Sequence, residues 1–210
     1  MKVEIWSDFV CPFCYLGKTK FEKALESFSD KENVEIIYKS FELDPNASKS
    51  YKGTMSELIS KKYGITIEEA QANNKRITNQ AKEVGLVYNL EKAIPINTFY
   101  SHRLFQYAKQ LGKDEEVVGL LFKAYFTDSK NISDIGTLVE ISKQAGLEEK
   151  EVREVLSSDK YSDRVRSDEK EAQDIGITGV PFFIIDGKYS ISGAQPIETF
   201  KKALEKALIK

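Results

Sequence analysis

The segments of this 210-residue chain that are most typical of β-strands lie near its two ends. Lys2 to Trp6 and Val34 to Leu43 are rich in apolar, β-branched and aromatic residues, which favour strands. Strand character returns at Val180 to Asp186, and a partner strand, Tyr189 to Ser192, follows a Gly187-Lys188 turn. We therefore expect the two ends of the chain to form one sheet, and the sequence between them to be inserted into that sheet domain.

The middle of the chain has helical periodicity. Helix starts are predicted at Thr66 with Glu69, at Asn97 and at Ser133, because these residue types cap helices. The predicted helices are Thr54 to Tyr63, Thr66 to Val84, Asn97 to Leu111, Asp114 to Phe126, Ser133 to Gln144 and Glu148 to Ser157. The pattern predicts an α/β protein in which residues 1–44 and 159–210 form the sheet domain and residues 45–158 form an all-helical insertion.

Three helices are predicted within the sheet domain. One begins at or just after Cys11 and joins the first two strands. Tyr161 to Asp174 is strongly charged and is expected to face solvent, and Pro196 to Leu208 is amphipathic. The start of the chain is therefore strand, helix, strand.

Charge and hydropathy exclude two classes of partner. The chain has 31 basic and 33 acidic residues and a net charge of -2, with no basic block, so a nucleic-acid partner is not expected. No apolar run is long enough to cross a membrane. The chain opens directly as a strand, with no apolar signal segment, and we expect a cytoplasmic protein.

Cys11 and Cys14 are the only cysteines, and they form a C-P-F-C sequence. A disulfide that closes so short a loop would restrict the unfolded chain very little, so a structural role is disfavoured. A structural zinc site needs four ligands, and the chain offers one histidine, His102, and no further cysteine. No metal site is therefore predicted, although a carboxylate or a second subunit could complete the ligand set.

A redox dithiol fits the spacing best. If Cys11 caps the helix, the exposed N–H groups and the positive end of the helix dipole favour its thiolate. Cys14, one turn further, would be covered and would act as the resolving thiol. Pro12 suits the first turn of a helix. A second unusual proline, Pro181, precedes a strand, where a cis bond would explain its presence.

Three segments resemble the DsbA-like branch of the thioredoxin superfamily, and in particular its FrnE-like dithiol oxidoreductases. They are SDFVCPFCYLG, NTFYSHRLFQYAKQLG and GVPFFIIDGKYSISGAQP. The resemblance extends over essentially the full length and implies a thioredoxin fold interrupted by a helical domain. It implies that Cys11 attacks, that Cys14 resolves, and that Pro181 is cis and lies beside the disulfide.

The resemblance implies a thiol-disulfide oxidoreductase without a dissociable cofactor. The expected partners are protein disulfides or dithiols, or glutathione or another low-molecular-weight thiol, and no oligomeric state is predicted. The predicted substrate-binding residues are Val180, Phe13, Pro12 and His102. His102 would either face Cys11 or be a buried histidine that bonds a backbone carbonyl. Its neighbour Arg103 is expected to be a solvated helix charge.

Two other functions compete with this one. Kappa-class glutathione transferases and hydroxychromene-carboxylate isomerases share the fold, but they commonly have a serine where Cys11 stands and need no second thiol. A binding or chaperone module with an incidental dithiol is the non-enzymatic alternative. Phe13 stands where the periplasmic motif C-P-H-C has histidine, which predicts a less oxidising dithiol than that of the periplasmic enzyme.

Overall fold

The computed structural model describes residues 1–48 and 53–209. The chain divides into two compact units. The first, here called the sheet unit, comprises Met1–Leu43 and Val165–Lys210, and the second, the helical unit, comprises Asp44–Arg164. The helix Ser162–Asp174 contains the second junction between these units.

The sheet unit contains four strands in the order β2-β1-β3-β4. Strand β1 pairs in parallel with β2 and antiparallel with β3, and β3 pairs antiparallel with β4. The pairing of Val3 with Ile185 joins the two ends of the chain in one sheet. The elements of this unit are β1 (Lys2–Ser7), α1 (Pro12–Glu26), β2 (Glu35–Ser40), α8 (Ser162–Asp174), β3 (Phe182–Ile185), β4 (Tyr189–Ser192) and α9 (Ile197–Leu208).

Helices cover both faces of the sheet. Alternate residues of a strand point to opposite faces, so the apolar side chains on each face need their own covering helix. On one face, Phe183 of β3 contacts Phe21 of α1 and Phe200 of α9, at ring-centroid distances of 5.7 and 4.8 Å. On the other face, Trp6 of β1 packs with Ala172 of α8. The prediction that Tyr161 to Asp174 is a charged, solvent-facing helix holds for most of α8, but Val165 and Ala172 are buried, and Ala172 packs against the sheet.

Strand β2 ends at Ser40, three residues before the predicted end at Leu43. The chain leaves the strand because its next N–H groups bond to other partners. The Glu42 N–H donates to the Glu169 carboxylate at 3.1 Å, and the Leu43 N–H donates to the Asp8 carboxylate at 2.8 Å. Acidic side chains thus take the place of a neighbouring strand at this end of β2.

The helical unit contains no β-strand among its described residues, 44–48 and 53–164. Predicted and observed helices agree closely, with two differences in capping: Thr98 and Asp134, rather than Asn97 and Ser133, are the N-caps. Beyond Phe122 the chain continues as a π-helix, Lys123–Thr127, instead of as α-helix. The α-helices of the helical unit are α2 (Met55–Tyr63), α3 (Ile67–Glu83), α4 (Phe99–Gln110), α5 (Asp114–Phe122), α6 (Ile135–Gln144) and α7 (Glu149–Ser157).

The capping of α3 shows why local sequence was informative in this unit. Thr66 accepts the N–H of Glu69, and the Glu69 carboxylate accepts the N–H of Thr66. This reciprocal pair satisfies two N–H groups that a helix start leaves open. Within residues 1–48 and 53–209, no helix combines the length and the apolar character needed to cross a membrane.

Candidate active site

Both cysteines lie at the start of α1. Cys11 is the N-cap residue, with φ -87° and ψ 112°, and Pro12 occupies the first helical turn. Cys14 follows within that turn, and its N–H donates to the Cys11 carbonyl at 3.0 Å. Both are free thiols, and both are buried. The positive end of the helix dipole favours negative charge at the position of Cys11.

The end of β1 surrounds the second thiol. The Asp8 N–H donates to Cys14 Sγ at 3.4 Å, and the Asp8 carbonyl accepts the N–H of Cys11 at 3.1 Å. Burial, and then the neighbouring Cys11 sulfur, raise the pKa of the Cys14 thiol well above its ordinary value. Hydrogen bonds from the Ser7 side chain and the Asp8 backbone act in the opposite direction. The sequence analysis did not identify Ser7 or Asp8, although both stand in the same SDFVC segment.

The loop before β3 faces the first thiol. The Cys11 thiol donates to the Val180 carbonyl, with 3.6 Å between sulfur and oxygen. The Val180–Pro181 peptide bond is cis. The Pro181 carbonyl accepts the N–H of Gly193 at 2.8 Å, which ties this loop to the residues after β4. Cys11, Cys14, Val180 and Pro181 are thus brought together within the sheet unit.

A glycine in the middle of α1 allows the proline loop to approach. A Cβ atom added to Gly17 would lie 2.9 Å from Pro181 Cγ and 3.4 Å from Phe183 Cζ. The first of these distances is shorter than any ordinary carbon contact. Glycine in a helix interior costs about 0.5–1 kcal/mol relative to alanine, and here the close packing of Pro181 gives it a physical reason.

The other predicted substrate-binding residues of the sheet unit differ in exposure. Phe13, between the two cysteines, is 39% exposed, and Pro12 is half-buried. The Val180 side chain packs against the apolar cluster around Trp6, so this residue presents its backbone carbonyl to the sulfur rather than its side chain. Phe13 is therefore the large apolar side chain beside the dithiol that a partner can reach.

The two residues singled out in the helical unit are both buried in α4. His102 is fully buried, and its role at the dithiol stays a prediction. Arg103 is 2% exposed, and its guanidinium donates to the carbonyls of Val155, Ser158 and Lys160. The expectation of a solvated Arg103 is wrong, because the carbonyl groups in the last turn of α7 and just beyond it accept hydrogen bonds from the guanidinium.

In the part of the chain that the structure describes, no three His, Cys, Asp or Glu side chains are grouped so that they could hold a metal ion. The reactive groups of this site are two adjacent sulfur atoms, a helix terminus and a backbone carbonyl. This arrangement is suited to thiol-disulfide exchange, in which one thiolate attacks and a second displaces it.

Comparison with known proteins identifies the family and the fold. A model of the DSBA-like thioredoxin domain matches residues 2–205. An uncharacterized protein of Bacillus subtilis, YwbO, is 31% identical over 204 residues, which cover 96% of this chain and 94% of that protein. The crystal structure of a probable DsbA oxidoreductase from Streptomyces coelicolor is 43% identical, with a TM-score of 0.95, and the match covers 99% of this chain and 89% of that chain.

A more distant structure shares the fold alone. A 2-hydroxychromene-2-carboxylate isomerase is 17% identical, with a TM-score of 0.75, over 98% of this chain and 95% of its own. The predicted fold class, α/β with a DsbA-like thioredoxin fold, is confirmed by the family match and by the Streptomyces structure. The chain belongs to the DSBA-like thioredoxin domain family.

Proposed function

We propose that this protein is a thiol-disulfide oxidoreductase that works through Cys11 and Cys14. The observation that carries the proposal is the position of the pair: Cys11 caps α1 and faces the Val180 carbonyl, and Cys14 lies one turn behind it. Membership of the DSBA-like family and the similarity to a probable DsbA oxidoreductase support the same chemistry. We also propose that the protein is cytoplasmic, which cell fractionation can test.

The reaction consists of two exchanges. The Cys11 thiolate attacks one sulfur of a substrate disulfide, so that a bond from Cys11 to this sulfur forms and the substrate disulfide breaks. Cys14 then attacks Cys11 Sγ and releases the reduced substrate, which leaves a Cys11–Cys14 disulfide. Oxidation of a substrate dithiol follows the same path in reverse. Two electrons pass between substrate and protein in either direction, and no dissociable cofactor takes part.

The residues around the dithiol have proposed roles in binding. Pro181 and the backbone of Val180 would hold an extended substrate segment beside Cys11, while Phe13 and Pro12 would contact its side chains. Suitable partners are disulfides or dithiols of other proteins, and glutathione or another low-molecular-weight thiol. His102 keeps its predicted role in substrate binding, and comparison of His102→Ala with His102→Gln checks it through the KM for a peptide disulfide.

Trapping of the intermediate tests the proposal. A Cys14→Ser variant lacks the resolving thiol and is expected to accumulate a mixed disulfide between Cys11 and a peptide disulfide. A Cys11→Ser variant, which keeps one buried thiol, is the matched control. It is expected to form a mixed disulfide much more slowly than the Cys14→Ser variant does. A Cys14→Ser protein that forms no mixed disulfide, or a Cys11→Ser protein that forms it equally fast, contradicts the mechanism.

Two assays separate the competing functions. Conjugation of glutathione to an electrophile would favour the transferase or isomerase alternative, and we expect none that depends on Cys11. Prevention of aggregation by a Cys11→Ser, Cys14→Ser double variant would favour a binding module. We expect disulfide exchange to disappear in that double variant.

A further inference from the structure

Asp8, between β1 and α1, forms hydrogen bonds through its N–H, its carbonyl and its side chain. The N–H donates to Cys14 Sγ at 3.4 Å, and the carbonyl accepts the N–H of Cys11 at 3.1 Å. One oxygen of the carboxylate accepts the N–H of Leu43 at 2.8 Å. Asp8 is therefore bonded to both cysteines through its backbone, and to the segment after β2 through its side chain.

The resolving thiol lies where a charged sulfur is costly. Cys14 is 1% exposed, yet only a thiolate attacks a disulfide at a useful rate. A charge that develops in a buried site must be stabilised by donors that are already in place, because little water can reorient around it. The Asp8 N–H is such a donor, and its bond to the sulfur should strengthen when the sulfur becomes charged.

Two bonds to the segment after β2 fix the direction of this N–H. The Ser7 carbonyl and the Asp8 N–H belong to one planar peptide group and point in opposite directions. The carbonyl accepts the N–H of Phe41 at 3.2 Å, so the N–H is turned the other way, toward Cys14. The Asp8 side chain, in a residue that is 1% exposed, adds the bond to Leu43. The peptide group is thus held from the carbonyl side and from the side chain.

We propose that Asp8 is a positioning residue of the resolving step: its carboxylate, by accepting the N–H of Leu43, keeps the Asp8 N–H directed at Cys14 Sγ as this sulfur becomes a thiolate. The inference rests on the proposed dithiol function. In this step the Cys14–Cys11 disulfide bond forms and the bond from Cys11 to the substrate sulfur breaks. The Cys14 sulfur is oxidised, the substrate sulfur is reduced, and the departing thiolate takes up a proton in place of the one that Cys14 released.

A coloured aromatic disulfide separates the two chemical steps. When the reduced protein reacts with 5,5′-dithiobis(2-nitrobenzoate), attack by Cys11 releases a first coloured thiolate, and attack by Cys14 on the mixed disulfide releases a second. We expect Asp8→Ala to slow the second release about tenfold, which corresponds to ~1.4 kcal/mol in the activation free energy. The first release is expected to change less than about threefold, since the start of α1, which favours the Cys11 thiolate, is retained.

Matched variants separate the bond to Leu43 from charge and from packing. Asp8→Asn removes the charge but keeps an oxygen that can accept this N–H, so its second release should stay within about twofold of the wild type. Asp8→Leu has a similar branched shape without an acceptor and should be about as slow as Asp8→Ala. Asp168→Ala removes a carboxylate of α8 that accepts the N–H of Ser40 at 2.8 Å, and it is expected to alter neither release.

The outcomes distinguish this inference from the function on which it rests. A wild-type protein that releases no second thiolate contradicts the proposed function itself. A wild-type protein that releases both, with an equally fast second release from Asp8→Ala, overturns the role of Asp8 alone.

Three further results would also overturn that role. If the alanine variant does not fold, equal second rates in the asparagine and leucine variants do so. An asparagine variant as slow as the alanine variant does so too, because the charge rather than the bond to Leu43 would then matter. Equal slowing of the first and second releases counts in the same way, since a donor to Cys14 cannot account for a slower attack by Cys11.

Discussion

Both units of the molecule bury hydrogen-bond donors, but those donors face different groups. In the sheet unit, the Asp8 N–H donates to Cys14 Sγ at 3.4 Å, and the charge of this sulfur changes during the proposed reaction. In the helical unit, Arg103 of α4 donates to three backbone carbonyls, and Ser101 donates to the Ile132 carbonyl at 2.6 Å. The carbonyl partners undergo no chemistry. Burial of a hydrogen-bond donor is therefore common to both units, and only the group that it faces distinguishes a candidate reactive site from structural support.

The largest effect on stability is expected at Arg103. Replacement by methionine keeps much of the volume but leaves the carbonyls of Val155, Ser158 and Lys160 without this donor. The Val155 carbonyl keeps the N–H of Ser158 at 3.3 Å, and Ser158 and Lys160 are partly or fully exposed. A buried group that loses its partner costs about 1–3 kcal/mol, so we expect Arg103→Met to lower the free energy of unfolding by roughly 2–3 kcal/mol. Urea denaturation measures the change.

Arg164→Met provides the control for this prediction. Arg164 belongs to the same unit and donates to the exposed Gln110 side chain at 3.0 Å. Its loss is expected to cost less than about 0.5 kcal/mol. Equal losses for the two variants would mean that the contacts of Arg103 are no more important than those of a surface side chain.

Two helix glycines, one in each unit, should respond oppositely to alanine. Gly17→Ala brings a methyl group to 2.9 Å from Pro181 Cγ, and overpacking of this kind costs about 1–3 kcal/mol. Gly119 in α5 has no atom within 4 Å of the added Cβ. There the better helix propensity of alanine should stabilise by up to about 1 kcal/mol. Urea denaturation gives both values, and a Gly17→Ala variant as stable as the wild type or more stable would contradict the assigned role of Gly17.

A change at Phe13 should affect the dithiol more than the fold. Phenylalanine has no N–H group to offer a thiolate, whereas histidine has one. Phe13→His is therefore expected to stabilise the reduced form and to raise the reduction potential by about 30 mV, or ~1.4 kcal/mol. The wild-type potential is expected between those of thioredoxin and DsbA, about -270 and -120 mV. Equilibration with a glutathione buffer measures both values.

Phe13→Leu is the control for the change in potential. Leucine also lacks a donor, so its potential should stay near that of the wild-type protein. A histidine variant that is more reducing than the wild type would show that another group controls the thiolate. A wild-type potential as high as that of DsbA would do the same.

The smallest effect is expected from a surface ion pair. Burial acts to raise the pKa of Glu4, but the ammonium groups of Lys2 and Lys39 outweigh it, and the pKa lies below its ordinary value. A lowered pKa in the folded state means that the carboxylate stabilises the fold above the unfolded pKa. This contribution is lost as the pH falls through the folded pKa.

Glu4→Gln tests the pH dependence. We expect a loss below about 1 kcal/mol at neutral pH, and a smaller difference from the wild type when urea denaturation is repeated well below the ordinary pKa of glutamate. Glu154 of the helical unit also has a lowered pKa, caused by Lys160, but it is fully exposed, and Glu154→Gln is expected to have less effect. A destabilisation by Glu4→Gln that grows in acid would contradict the assigned sign.

Local sequence signals predicted much of this structure. The Thr66–Glu69 capping pair and the Tyr189–Ser192 strand were identified correctly because each depends on neighbouring residues. Cys11 at the start of α1 was predicted for the same reason. The environment of Arg103 was not predictable in this way, because its partners follow a different helix and lie far away in sequence.

The donor to Cys14 shows a second limit of the sequence. Asp8 stands in the segment that carried the family resemblance, but the spacing of residues does not reveal which way its N–H points. That direction depends on the bonds of Ser7 and Asp8 to Phe41 and Leu43, which follow a different strand. A polar pair at the end of a buried strand and shortly before a C-x-x-C sequence is the signal that would have drawn attention to it.

The pairing of Val3 with Ile185 also has a consequence for biosynthesis. A ribosome that adds about 5–20 residues per second makes Cys11 and Cys14 roughly ten seconds or more before it makes β3. During that interval β1 lacks its antiparallel neighbour, and Cys11 lacks the Val180 carbonyl that faces it in the finished protein. The nascent chain therefore carries both thiols without the loop that later lies over Cys11, and cellular oxidants can reach the pair most easily before synthesis is complete.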